Sequence, residues 1–219
     1  PFFMEKLAKL FGSAAAVKVM RLFIFNPDAI YDTREVAARA RVTSSSARQE
    51  VLKFAKIGLL KKKPLVRENK KDTTRSGRKS SIGWMLDPRF EYLQPLTIFL
   101  TDTPPVKYKD LTHRFQNIGK LKLLVVSGIF IQNENSRVDL LVVSDRIRES
   151  VVEQAVRRLE ADFGTELRYV ALDTETFTYR LSMYDKLIRD ILDYPHELLI
   201  DRIGIGRFYA TPHVAHIKE

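Results

Sequence analysis

The apolar residues of this 219-residue chain change period at Gly58, and that change limits the folds open to its first half. Ahead of Gly58 they recur at helical spacing; beyond it they alternate. Phe2, Phe3, Leu7, Leu10 and Phe11 lie close to one helical stripe. Gly12-Ser13 interrupts it, and Ser13 can cap a second helix from Ala14 to about Phe25. Asn26-Pro27-Asp28 is a stop and a turn. Asp32, with Glu35 three residues on, reads as a capping box that opens a short helix through about Ala40. Thr43 caps the next helix, with Ala47, Val51 and Phe54 at i, i+4 and i+7 as its buried stripe and Gly58 as its C′ residue. Leu59-Leu60 then starts an extended segment that enters a basic stretch, Lys61 to Lys79. In Ser81–Leu86 the residues Ile82, Trp84 and Leu86 alternate as in a half-buried strand, so the two segments form a β-hairpin with a basic tip.

Pro88, Pro95 and Pro104-Pro105 punctuate the stretch after the hairpin, and the domain boundary is placed at the last pair: 1–103, then 104–219. The second part alternates strands and helices. Leu121–Val126, Val138–Val143 and Leu167–Leu172 read as strands, with Leu198–Ile200 as a last candidate. Ser150 can cap a helix with Val151, Val152, Ala155, Val156, Leu159 and Phe163 on one face, closed by Gly164. Thr174 opens another, which breaks near Ser182-Met183 and continues to Pro195. Helices and short strands in alternation make a small α/β domain, so the whole chain is expected to be α+β.

Composition removes several classes. There is no Cys, which excludes disulfides, thiolate zinc sites and a Cys nucleophile in this chain. At 45% hydrophobic and 29% charged residues the sequence is that of a globular protein. The longest near-apolar run, Leu121 to Ile131, falls short of the ~20 residues of a membrane span. No basic stretch followed by an apolar core stands at the start of the sequence, so a secretory signal is not expected in it and the cytoplasm is the expected location. The net charge of +10 is uneven: Pro1–Leu100 holds 20 Lys and Arg against nine Asp and Glu, whereas Thr101–Glu219 holds 17 against 18. A basic excess confined to one domain is the footprint of a nucleic-acid face.

The candidate face has two parts. At the start of the third helix of the helix–turn–helix stand Thr43, Ser44, Ser45, Ser46, Arg48 and Gln49, of which Arg can read guanine and Gln adenine in a major groove. Lys53 and Lys56 come next along the helix, suited to phosphates, and the hairpin tip adds Lys70, Lys71, Arg75, Arg78 and Lys79. Ser13–Pro88 resembles the ArsR/MarR-like winged-helix families of bacterial and archaeal transcription regulators. The resemblance lies in Thr33-Arg34-Glu35-Val36-Ala37, Val42-Thr43-Ser44-Ser45-Ser46-Ala47-Arg48, Lys56-Ile57-Gly58-Leu59-Leu60 and Gly83-Trp84-Met85-Leu86-Asp87-Pro88. It implies an N-terminal winged helix-turn-helix domain, binding to double-stranded DNA and a homodimer.

Val125-Val126-Ser127-Gly128-Ile129-Phe130, then Ser136-Arg137-Val138-Asp139-Leu140-Leu141-Val142-Val143, resembles the core of the minimal nucleotidyltransferase family. That family carries a Gly-Ser after its first strand and an Asp-x-Asp on its second, where carboxylates hold two Mg²⁺ ions. Ile129 stands here at the place of the Ser and Arg137 at the place of the first Asp, and Leu167-Arg168-Tyr169-Val170-Ala171 has no acid at the place of the third carboxylate. The resemblance therefore implies the fold without the activity, no catalytic residue and no cofactor. A cleft at Gly128, Arg137 and Asp139 could still hold a small anionic effector, with Asp139 otherwise expected to be an Arg-paired structural carboxylate. Gly204-Ile205-Gly206 reads as a turn, and His213 with His216 has no third ligand, so no metal site is expected. The expected function is that of a sequence-specific DNA-binding transcription regulator. The alternative is an active nucleotidyltransferase that grips tRNA or a protein with its basic domain.

Overall fold

The computed structural model describes residues 2–67, 79–133 and 135–209. Among the described residues the chain is mixed α and β with two small sheets, one of two strands and one of four. It divides into two compact units, Pro1–Val106 with Arg158–Thr165, and Lys107–Arg157 with Glu166–Glu219.

The first unit contains α1 (Phe2–Phe11), α2 (Ala14–Ile24), α3 (Thr33–Ala40), α4 (Ser44–Lys56), β1 (Leu60–Arg67), β2 (Lys79–Leu86) and α5 (Leu93–Asp102). Local side-chain chemistry sets most of these ends. The Ser13 hydroxyl accepts the Ala16 N–H at 2.9 Å and so caps α2. Asp32 accepts the Glu35 N–H while Glu35 accepts the Asp32 N–H, both at 2.8 Å, which closes the capping box of α3. At the end of α4, Gly58 N–H bonds Ala55 O and Leu59 N–H bonds Phe54 O, with Gly58 at φ 84. That is a Schellman turn, and Leu59 and Phe54 are buried together beneath it. Around α2, the residues Val19, Phe23, Val36, Ala47, Val51, Phe54, Trp84 and Leu86 form one core.

β1 and β2 pair antiparallel from Leu60↔Leu86 to Arg67↔Lys79. Tyr31 bridges Trp84 on the other side of β2, which leaves β1 at the edge, the place where Pro64 is tolerated. The alternation expected at Ile82, Trp84 and Leu86 holds only in part: Trp84 and Leu86 are buried, whereas Ile82 is 61% exposed. Among the described residues of β2, the core ends at Trp84. The apolar run at Leu93–Leu100 is a helix, α5, for which the Pro spacing offers no cue.

Buried charges hold this unit's helices, Arg21 and Glu50 among them. Arg21, in the last turn of α2, donates to Leu100 O at 2.9 Å, Thr103 O at 3.2 Å and Phe163 O at 3.2 Å. Burial pushes its guanidinium down to about 10, against a partial restoring effect of Asp162. Glu50 on α4 accepts the Ser13 hydroxyl at 2.7 Å and lies 3.8 Å from Lys53 Nζ.

In the second unit α6 (Tyr108–Arg114) precedes a sheet of order β5-β4-β3-β6: β3 (Lys120–Val126), β4 (Leu140–Asp145), β5 (Tyr169–Leu172) and β6 (Glu197–Asp201). β3 is antiparallel to β4 and β6, and β4 is parallel to β5. A 3₁₀ turn, Gly128–Ile131, comes after β3; α7 (Glu149–Phe163) comes after β4 and starts one residue ahead of Ser150. α8 (Thr174–Ser182) and α9 (Lys186–Leu192) bury Phe177, Ile188, Ile191 and Leu192 against Leu123, Val125, Leu141 and Val143. Leu124, Val126, Leu140 and Val142 are buried as well, so the central strands are covered on both faces and read as continuous apolar runs. Among the described residues no helix is long and apolar enough to cross a membrane.

Ser13 both caps α2 and partners the buried Glu50 of α4. Ser13→Ala removes the two interactions at once and is expected to cost about 1–3 kcal/mol. The urea transition of Trp84, the only tryptophan, is the check.

Candidate nucleic-acid interface and a closed carboxylate site

α4 is positioned by the turn ahead of it. Arg41 takes φ 50, and Val42 N–H bonds Ala37 O at 3.0 Å, so the chain reverses between α3 and α4 without a glycine. Thr43 then caps α4, accepting the Ser46 N–H at 3.1 Å, donating to the Ser46 hydroxyl at 2.8 Å and lying 3.0 Å from that of Ser45. Three of the expected reading hydroxyls, Thr43, Ser45 and Ser46, are therefore engaged with one another at the cap. Ser44, Arg48 and Gln49 are exposed on the face opposite Ala47, Glu50, Val51 and Phe54, with Leu52, Lys53 and Lys56 further along. No acid lies in the first turn, so the positive end of the helix dipole faces an uncompensated surface.

On the hairpin, Lys62 stands over the Trp84 ring at 5.7 Å and Lys63 is exposed. Lys61 is 3.5 Å from Asp87, whose carboxylate also takes Arg89 Nε at 3.2 Å and Nη2 at 3.0 Å. Hydrogen bonds from the Arg89 side chain hold the Asp87 carboxyl well below the ordinary carboxylate range. Two of the basic side chains near the hairpin base are thus partnered internally. Lys79 pairs with Arg67 in the strand register. Lys70, Lys71, Arg75 and Arg78 lie outside the described residues, as do His213 and His216. No cluster of three metal-ligating side chains occurs among the described residues.

The second candidate, Gly128 with Arg137 and Asp139, separates into two arrangements. Asp139 is 3% exposed and its carboxylate is saturated. Oδ1 accepts the Ile129 N–H at 3.2 Å and Arg168 Nη2 at 2.9 Å; Oδ2 accepts the Arg168 N–H at 2.9 Å and its Nε at 3.1 Å. Gly128, at φ 56, makes the approach possible, since a Cβ there would sit 1.9 Å from Asp139 Oδ1. The space beside the Gly128 backbone is occupied by the chain's own carboxylate. Arg137 turns elsewhere and pairs with Asp190 of α9 at 2.9 Å. Asp139 is Arg-paired, and the partner is Arg168, 29 residues away, a pairing for which sequence proximity offers no cue.

The Gly204-Ile205-Gly206 turn closes in the same manner. Asp201 Oδ1 accepts the N–H groups of Ile203, Gly204 and Ile205 at 3.1, 2.7 and 3.3 Å, and Oδ2 that of Gly206 at 2.8 Å. A ring of amides that would suit a phosphate already holds a carboxylate. Compared with known proteins, the chain matches no family model, no curated protein and no solved structure.

Substitution and pH both probe these carboxylates. Arg168→Ala strands a buried Asp139 and is expected to cost about 2–4 kcal/mol, the lower end reflecting the half-exposed Arg168 side chain. An Asp139→Asn/Arg168→Gln double variant should recover part of the loss in a thermal melt.

Burial works to raise Asp201, but its four N–H donors outweigh it and hold the carboxyl low; hydrogen bonds from Thr174 lower Asp145 and those from Thr176 lower Asp173. Each such group is more acidic folded than unfolded. Its stabilisation is complete above the unfolded value of about 4 and is lost as pH falls through the lowered folded values. The urea midpoint is therefore expected to be flat from pH 7 to about 5 and to fall steeply below 4, with a shallower fall in Asp201→Asn.

Proposed function

We propose that the chain is a sequence-specific regulator of transcription that binds double-stranded DNA through its first unit, a winged helix-turn-helix. The observation that carries this reading is the face of α4: a capped, 13-residue helix that presents Ser44, Arg48 and Gln49 to solvent, with no acid in its first turn. The element order supports it. Two helices joined by a tight turn lead into an antiparallel hairpin, and Tyr31 bridges the free side of β2. α4 enters the major groove, Arg48 and Gln49 contact base edges, and Lys56, Lys63 and the basic hairpin tip meet the backbone.

The second unit we infer to be nucleotidyltransferase-like and without transfer activity. Its strand order supports the first part, and the state of Asp139 the second. A single carboxylate whose lone pairs are taken by two amides and a guanidinium offers little to a pair of Mg²⁺ ions. In this reading the unit serves as the scaffold of a homodimer.

Selection from a random duplex pool tests the reading directly, and enrichment of a defined site is expected. On that site Arg48→Ala or Gln49→Ala should cost about 1–3 kcal/mol and relax base preference locally. Replacing Arg75, Arg78 and Lys79 by Ala should weaken binding to every duplex and reduce the salt slope by about 0.9 for each phosphate no longer neutralised. Absence of enrichment, or equal losses on selected and random DNA for all variants, overturns the reading.

A further inference from the structure

The turn between α8 and α9 carries a cost that its own packing does not explain. Tyr184 N–H bonds Leu181 O at 3.2 Å and Asp185 N–H bonds Arg180 O at 3.0 Å, the two hydrogen bonds of a Schellman turn. Tyr184 occupies its left-handed position, at φ 54, where glycine is the unstrained residue. The ring is not buried in return, being 75% exposed. Backbone strain at an exposed aromatic residue points to what the side chain does outside the fold.

The surroundings indicate the chemistry. Tyr184 and Tyr194, the latter 57% exposed, line one open groove of about 510 Å³ together with Lys186, Arg189, Asp190 and Asp193. Arg189 is paired with Asp193 at 3.1 Å and Asp190 with Arg137 at 2.9 Å. Lys186 is exposed and forms no ion pair among the described residues. The groove thus combines two phenol rings, one cation available to an anion, and a carboxylate whose second oxygen is open, since Arg189 engages only Asp193 Oδ2. None of its lining belongs to the closed site of Gly128, Asp139 and Arg168.

We propose that this groove binds a nucleotide, its base stacked on Tyr184 and Tyr194 and its phosphate at Lys186. Aromatic rings accept any base face, and the open Oδ1 of Asp193, with the remaining lone pair of Oδ2, accepts the adjacent N–H and NH₂ donors of guanine where uracil offers a single N–H, so guanine is favoured over uracil. The same chemistry is presented by a free guanine nucleotide and by a guanine within a single strand. The site is independent of duplex recognition by α4.

The full chain is titrated with guanosine 5′-monophosphate, uridine 5′-monophosphate, ribose 5-phosphate and a single-stranded thymine octanucleotide containing one guanine, by calorimetry and saturation-transfer NMR. The guanine nucleotide is expected to bind, the uridine nucleotide more weakly, and ribose 5-phosphate not measurably. Tighter binding of the octanucleotide than of the mononucleotide assigns the site to single strands; equal or weaker binding assigns it to the free nucleotide. Tyr184→Gly relieves the backbone strain, so it should melt no lower than the parent while binding about fivefold to a hundredfold more weakly. Tyr194→Ala should weaken binding similarly, and duplex binding should be unchanged in both. No binding of the guanine nucleotide, undiminished binding in Tyr184→Gly, or equal binding of ribose 5-phosphate overturns the proposal.

Discussion

The first unit depends on a cation placed where the sequence pattern calls for an apolar residue. Arg21 sits in the buried face of α2, 2% exposed, and its guanidinium meets Leu100 O and Thr103 O at the end of α5 and Phe163 O at the end of α7. Helix C-termini leave carbonyls without partners and carry the negative end of the helix dipole, so one buried cation satisfies acceptors of two helices together. Desolvation opposes this and lowers its pKa, but leaves the group charged at neutral pH. Gly164 shares the constraint: a Cβ there would lie 2.5 Å from the Arg21 backbone carbonyl carbon, so the chain after α7 must be bare at that point.

How much of the fold was legible in the sequence depends on the range of each interaction. Ser13, Asp32 with Glu35, Thr43 and Gly58 act on backbone groups two to five residues away, and each forms the cap that its residue type and spacing indicate. The stripe Ala47, Val51 and Phe54 is buried because helical periodicity determines which side chains share a face. Arg21, Glu50 and Arg168 behave otherwise. Their partners lie 79 to 142, 37 and 29 residues away, and a charged residue in a helix or strand is ordinarily solvated, so nothing local marks them as buried or paired. Ile82 shows the converse: its alternation is correct for a strand, but alternation does not reveal where the core under the strand ends.

The same limit governs the candidate sites. Gly128 and Asp139 have the residue types of an open cleft, and only the fold brings Arg168 across to fill it. At Asp201 the loop read as a turn is indeed one, closed by a carboxylate from the strand just before it. A motif records which groups can approach one another; at Gly128 it is the distant Arg168 that helps decide what takes the place.

Charge obeys a similar logic at the proposed DNA face. The first hundred residues carry the basic excess, yet charge count is a poor guide to which cations can meet phosphates. Lys61 and Arg89 are drawn to Asp87, Lys53 lies beside Glu50, Lys18 is held by Asp162 at 2.9 Å, and Arg21 is buried. Arg48, Lys56 and Lys63 are exposed, and no ion pair engages them among the described residues. Counterion release rewards only cations that reach the duplex, so the affinity in this reading rests on fewer groups than the net charge implies. The carboxylates that subtract from it, Glu50 and Asp87, are the ones that anchor α4 and the hairpin. Part of the charge that could have strengthened binding is instead used to hold the reading surface in shape.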